Sequence, residues 1–135
     1  MQRLKPFCKV DVLELQESKL EEKPGVKEER ALEEEALQVG RYIRDGAHLI
    51  LLAAEGKMLS SEELALYLER LQLEGKSKVD FVIGGPLGLA GSLKNRGDLM
   101  LSLSRLTFPH RLARLILLEQ LYRCFKIIRG EPYHK

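Results

Sequence analysis

Three short apolar runs, Leu49-Ile50-Leu51-Leu52, Phe81-Val82-Ile83 and Leu99-Met100-Leu101-Ser102-Leu103, restrict the folds open to this chain. A run of this kind has no wet face, so it suits a strand buried on both sides. Such burial is typical of a parallel sheet covered by helices on both faces. The segments between the runs supply those helices. Leu32, Ala36, Val39 and Ile43 follow one another at spacings of four, three and four, which makes one apolar stripe on a helix from Val26 to Asp45. Gly46 is a C-terminal stop signal, and Glu28, Glu29, Glu33, Glu34 and Glu35 are assigned mostly to the wet side.

The remaining elements follow the same alternation. Phe7 to Leu15 alternates polar and apolar residues and predicts a first strand. Ala47 to Ala54 is the second, closed by a turn at Glu55-Gly56-Lys57. Ser60 and Glu63 form a capping box that opens a helix with Leu64, Tyr67, Leu68 and Leu71 inward, ending near Gly75. Val79 to Ile83 is the third strand, Leu89 to Arg96 a short helix, and Leu99 to Leu103 the fourth strand. The last helix runs from His110 to Ile128. Its apolar residues point in nearly every direction, so one face meets the sheet and another calls for a partner, most simply a second copy in a homodimer.

Composition narrows the class. A chain of 135 residues forms one domain with a real core, residues 1–135. Two cysteines, Cys8 and Cys124, both sit among apolar residues and read as buried thiols in a reducing, cytoplasmic setting. Met1 leads into Arg3, Lys5 and Lys9 with no apolar signal segment, and charges interrupt the longest apolar helix, which argues against a membrane span. The charge is asymmetric. Residues 14–35 hold nine acidic and four basic side chains, a net of −5, and residues 94–135 hold nine basic and three acidic, a net of +6. A basic half fits a phosphate-bearing partner.

Chemistry is concentrated where the third strand ends. Phe81-Val-Ile-Gly84-Gly85-Pro86-Leu-Gly88 runs a buried strand into a glycine-rich turn. It matches neither G-x-G-x-x-G opening a helix nor G-x-x-x-x-G-K-[ST], so it is no ordinary phosphate cradle. In open α/β sheets ligands bind beyond the carboxyl ends of the strands. The loops after Leu52, Ile83 and Leu103 meet there, which predicts one small-molecule site. No Ser-His-Asp set and no metal-spaced Cys/His cluster is readable. His48 reads as structural. His110, at a helix start, can cap, position a loop or meet a ligand.

The motifs together resemble a known family. Phe81-Val-Ile-Gly-Gly-Pro-Leu-Gly-Leu89, Leu101-Ser-Leu-Ser-Arg-Leu-Thr-Phe-Pro-His110, Leu118-Glu-Gln-Leu-Tyr-Arg123 and Pro132-Tyr-His-Lys135 resemble the RlmH family. These are large-subunit ribosomal RNA pseudouridine N3-methyltransferases of the SPOUT, or trefoil-knot, class. The resemblance covers the chain from Arg3 onward. It implies a deep C-terminal knot, a homodimer, the ribosome as RNA partner, and S-adenosyl-L-methionine as methyl donor with no metal. It implies a cofactor site of Leu52, Gly84, Gly85, Leu103, Ser104, Arg105, Leu106, Thr107 and Phe108. It places His110 and Arg114 on the RNA side, and Arg123, Tyr133 and His134 with the chemistry. For Arg123 an ion pair with Glu119, four residues earlier, is the plain alternative.

The chain departs from the family in two ways. The family's first strand and helix have no counterpart, and Leu52-Ala53 and Leu87 replace the usual Leu-Asp and a glutamate or aromatic. The alternative function is a shortened, non-catalytic ribosome- or RNA-binding protein that retains the fold.

Overall fold

A computed structural model describes residues 9–14, 26–84 and 88–131. Their apolar runs become four parallel strands: β1 (Lys9–Glu14), β2 (His48–Met58), β3 (Lys78–Ile83) and β4 (Leu99–Ser102). Helices α1 (Val26–Gly40), α2 (Ser61–Leu73), α3 (Gly91–Arg96) and α4 (His110–Ile128) alternate with them. The order across the sheet is β1-β3-β2-β4. The α/β class with a parallel sheet and helices on both faces is therefore as expected, and every pairing is parallel.

The two-residue period of a strand sorts the core into two layers. Ile50, Leu52, Val79, Phe81, Ile83 and Leu101 face α2 and α4, where Leu64, Leu68, Leu117, Leu121 and Phe125 close the layer. Leu49, Leu51 and Val82 face the other way, against Ala36 and Val39 of α1, Ile43 beyond it and Leu93 of α3. Cys124 is buried in the first layer, where burial pushes its thiol up to about 12. Cys8 lies outside the described residues.

The capping box forms as the sequence predicts. Ser60 Oγ accepts from the Glu63 amide at 3.0 Å, and Glu63 Oε1 accepts from the Ser60 amide at 2.8 Å. A second tie joins the turn after α1 to the sheet. Asp80 of β3 is fully buried and accepts from the Arg44 amide and from Nε, each at 2.9 Å. A buried carboxylate needs such charge-assisted partners to remain in the core. His48, at the start of β2, has Nε2 at 2.5 Å from the Tyr67 hydroxyl, a contact that joins β2 to α2.

The expectations for the end of α1, for Gly46 and for the segment after Leu52 are corrected, and Glu35 is the exception on the wet side of α1. Helix α1 stops at Gly40, not Asp45, and Arg41 to Ala47 form turns that bring Arg44 onto Asp80. Gly46, with φ 76°, serves the turn into β2 rather than the helix end. Glu35 is buried, unlike Glu33 and Glu34, which are exposed. The assigned turn at Glu55-Gly56-Lys57 is instead the continuation of β2 past an irregularity. Leu52 and Lys57 both stand opposite Leu101, so residues 53–56 bulge out of the β2–β4 ladder. Gly56 makes this possible, because a Cβ there would lie 2.7 Å from the Met100 carbonyl carbon. Among the described residues no helix is long and apolar enough to cross a membrane.

Candidate functional site

The strand order decides where the site sits. β2 and β3 are central, and the chain must pass over β2 to reach β4. The segments leaving β2, β3 and β4 therefore converge at one end of the sheet. A cavity of about 240 Å³ opens there, somewhat below the usual small-molecule range of roughly 300–1,000 Å³. Leu52, Ile83, Gly84, Leu89 and Leu103 form its apolar walls, and Ser104, Leu106, Thr107 and Phe108 form a loop across it.

Local hydrogen bonds hold that loop. Ser102 Oγ donates to the Ser104 carbonyl at 3.0 Å, and Ser104 Oγ accepts from the Leu106 amide at 2.9 Å. Short serine bridges of this kind give a loop a turn shape without a regular element. On the opposite wall Gly88 has φ 92°, a backbone state that L side chains rarely adopt.

His110 joins the two sides. Its ring lines the cavity, and Nε2 lies 2.5 Å from the Gly84 carbonyl oxygen. A carbonyl only accepts, so Nε2 carries the proton and donates. Of the roles open to His110 at a helix start, positioning a loop is therefore realised, and the ring stays within the cavity wall. Behind it, burial raises the pKa of Glu35, and attraction to His110 partly offsets that rise. Glu35 Oε1 is buried without a hydrogen-bond partner.

The sequence-predicted residues are distributed as follows. Leu52, Gly84, Leu103, Ser104, Leu106, Thr107 and Phe108 all line the one cavity. Arg105 is exposed and does not line it. His110 lines the cavity as well, so this residue assigned to RNA sits among those assigned to the cofactor. Arg114 is exposed on α4. Arg123 forms the ion pair with Glu119, at 2.9 Å. Gly85, Tyr133 and His134 lie outside the described residues.

Sequence reasoning missed Glu55 and Ala113. Ala113 follows His110 by three residues on the same helical face, a signal that was available. Glu55 carried none, because its place on the wall depends on the β2 irregularity.

The wall can hold a flat group between aliphatic side chains, with loop backbone at its edges. Among the described residues no group of three or more metal-ligating side chains occurs.

Comparison with known proteins gives the same direction throughout. A family described as "Predicted SPOUT methyltransferase" matches residues 1–134. A protein of Desulforamulus reducens named ribosomal RNA large subunit methyltransferase H is 48% identical over 136 residues, covering 100% of this chain and 85% of its own length. Its namesake in Clostridium acetobutylicum is 45% identical over 134 residues, covering 98% and 84%. That of Bacillus cereus strain ATCC 14579 is 49% identical over 136 residues, covering 100% and 86%. With these matches spanning the chain, the protein belongs to the SPOUT methyltransferases and, within them, to the RlmH family.

Proposed function

We propose that this protein is an S-adenosylmethionine-dependent methyltransferase that methylates N3 of a pseudouridine in large-subunit ribosomal RNA. The observation that carries the reading is that Leu52, Gly84, Leu103, Ser104, Leu106, Thr107 and Phe108 line the same cavity, in a chain whose relatives are named for this class of substrate. It is supported by the fit of the wall to a nucleoside. Leu52, Ile83, Leu89 and Leu103 would flank the adenine, and loop backbone groups would meet its edge and the ribose.

When bound, S-adenosylmethionine supplies a methyl group already activated on a sulfonium, so positioning provides much of the acceleration. Gly84 and the Leu103–Phe108 loop would hold the donor, and Gly85, outside the described residues, is assigned to it by the family motif. His110 fixes the Gly84 carbonyl, which keeps the wall from shifting. Arg114 and Arg123 meet phosphate or base carbonyls. His134 or Tyr133, both outside the described residues, would orient the base or accept the proton that leaves N3.

The reading includes the knot, a homodimer and a cytoplasmic location. Leu112 and Leu115 remain exposed on α4, at 43% and 63%, and supply an apolar face for the second copy.

Calorimetry with S-adenosylmethionine, followed by mass spectrometry of ribosomes lacking the modification after incubation with the protein, tests the reading. Donor binding and one added methyl on the pseudouridine are expected. Donor binding without methylation would replace it by the non-catalytic RNA-binding alternative, and no donor binding would overturn it.

A further inference from the structure

Among the described residues that line the cavity, one carboxylate occurs, that of Glu55. The irregularity in β2 puts it there. Residues 53–56 leave the β2–β4 ladder between Leu52 and Lys57, and Gly56 lies so close to the backbone of Met100 and Leu101 that the bulge is held against β4. Glu55 is thus fixed at its base while its side chain stays 59% exposed. Lys94 of α3 pairs with it, Nζ to Oε2 at 3.2 Å. Its own backbone N–H, then Lys94, hold its carboxyl below the ordinary pKa, so it is ionised at neutral pH.

Neighbouring positions on the wall, Leu52, Ala53 and Ala54, contribute no charge. The other titratable wall residue is His110, whose Nε2–H is engaged by Gly84. Among the described wall residues Glu55 therefore carries the one carboxylate charge, with Lys94 tempering it.

Methyl transfer changes the charge of the molecule in such a cavity. The bond from sulfur to the methyl carbon breaks, its electron pair stays on sulfur, and a bond from carbon to N3 forms as the N3 proton passes to the proposed base, His134 or Tyr133, or to water. The donor, with sulfonium, ammonium and carboxylate, carries one net positive charge, and the demethylated thioether product carries none.

We infer that Glu55 is a specificity-determining residue that favours the positively charged methyl donor over its neutral product and thereby favours exchange of product for fresh donor. The inference rests on the proposed methyl-donor reading of this cavity. Solvent exposure and Lys94 keep the effect modest.

The test is calorimetric titration of the full chain with S-adenosylmethionine and, separately, with S-adenosylhomocysteine. Glu55→Gln keeps the shape and removes the charge. It is expected to weaken the donor about three- to fivefold, as for an exposed ion pair, and to leave product affinity unchanged. Lys94→Met exposes the carboxylate and is expected to shift the ratio the opposite way. Both variants are checked for native circular dichroism. Equal weakening of donor and product by Glu55→Gln, or a ratio unmoved by both substitutions, overturns the role of Glu55 while leaving the methyl-donor reading standing. Failure of the unsubstituted chain to bind the donor overturns both.

Discussion

His110 Nε2 donates to the Gly84 carbonyl across 2.5 Å, tying the first residue of α4 to the end of β3. The two residues are 26 apart in sequence, and this contact closes one side of the cavity.

Replacing His110 by alanine removes that donor and leaves a half-buried carbonyl short of a partner. The expected cost is about 1 kcal/mol of stability. Affinity for S-adenosylmethionine is expected to fall about tenfold, because a small displacement of a positioning wall is costly. Urea unfolding and calorimetry read the two effects. His110→Asn, which keeps an N–H donor, is expected to recover part of both. Unchanged donor affinity in His110→Ala would show that the clamp does not shape the site.

Leu115→Glu tests the homodimer. Leu115 is 63% exposed on α4, and a charge there faces water in a monomer but is buried unpaired in a symmetric interface. Sedimentation is expected to give a dimer for the natural chain and a monomer for the variant. A dimer in both would move the interface off this face.

Gly56→Ala should be destabilising although its backbone is unstrained. The added Cβ would stand 2.7 Å from the Met100 carbonyl carbon and 2.9 Å from that of Leu101. These are backbone atoms in a paired strand and yield poorly. A loss of roughly 1–3 kcal/mol is expected from overpacking, read as a lower urea midpoint with an unchanged slope. A loss below a few tenths would mean that β2 and β4 part easily.

His48 and Glu35 give opposite pH signatures. Burial lowers the His48 pKa, and Asp98 partly opposes it. The unfolded chain then binds a proton more readily, so this contribution is complete above about pH 6.5 and is lost as pH falls toward the depressed folded value. In His48→Gln the stability lost over that interval is expected to shrink.

Glu35 has a raised pKa, so its contribution is present below about pH 4.3 and is lost as pH rises through the folded value. Glu35→Gln is therefore expected to be more stable than the natural chain at neutral pH, with the advantage vanishing in acid. Thermal unfolding across pH reads both. A Glu35→Gln variant that is less stable at pH 7 would mean that the carboxylate makes a favourable contact when ionised.

Much of the fold was legible because it depends on local periodicity. The apolar runs at Leu49–Leu52 and Phe81–Ile83 have no side that tolerates water, and the Ser60–Glu63 capping box closes within a single turn. The same economy made Leu52, Gly84 and Leu103 readable as neighbours, since parallel strands bring their carboxyl ends together. Family motifs then extended the reading to Thr107 and Phe108, and assigned to RNA a residue, His110, that lines the same cavity.

What the sequence could not carry were contacts between distant segments. Gly56 looked like a turn residue, and only the approach of Met100, 44 positions later in the chain, makes it a close-packing position in a continuing strand. Glu55 reaches the cavity wall as a consequence. Glu35 shares a helix with exposed Glu33 and Glu34, and its burial follows from how α1 lies on the sheet. Residue type and spacing thus determined the alternating strands and helices and the end of the sheet at which a ligand would sit. Tertiary structure decided which charges stand on that wall, because burial and electrostatic fields arise from segments that meet only after the chain has folded.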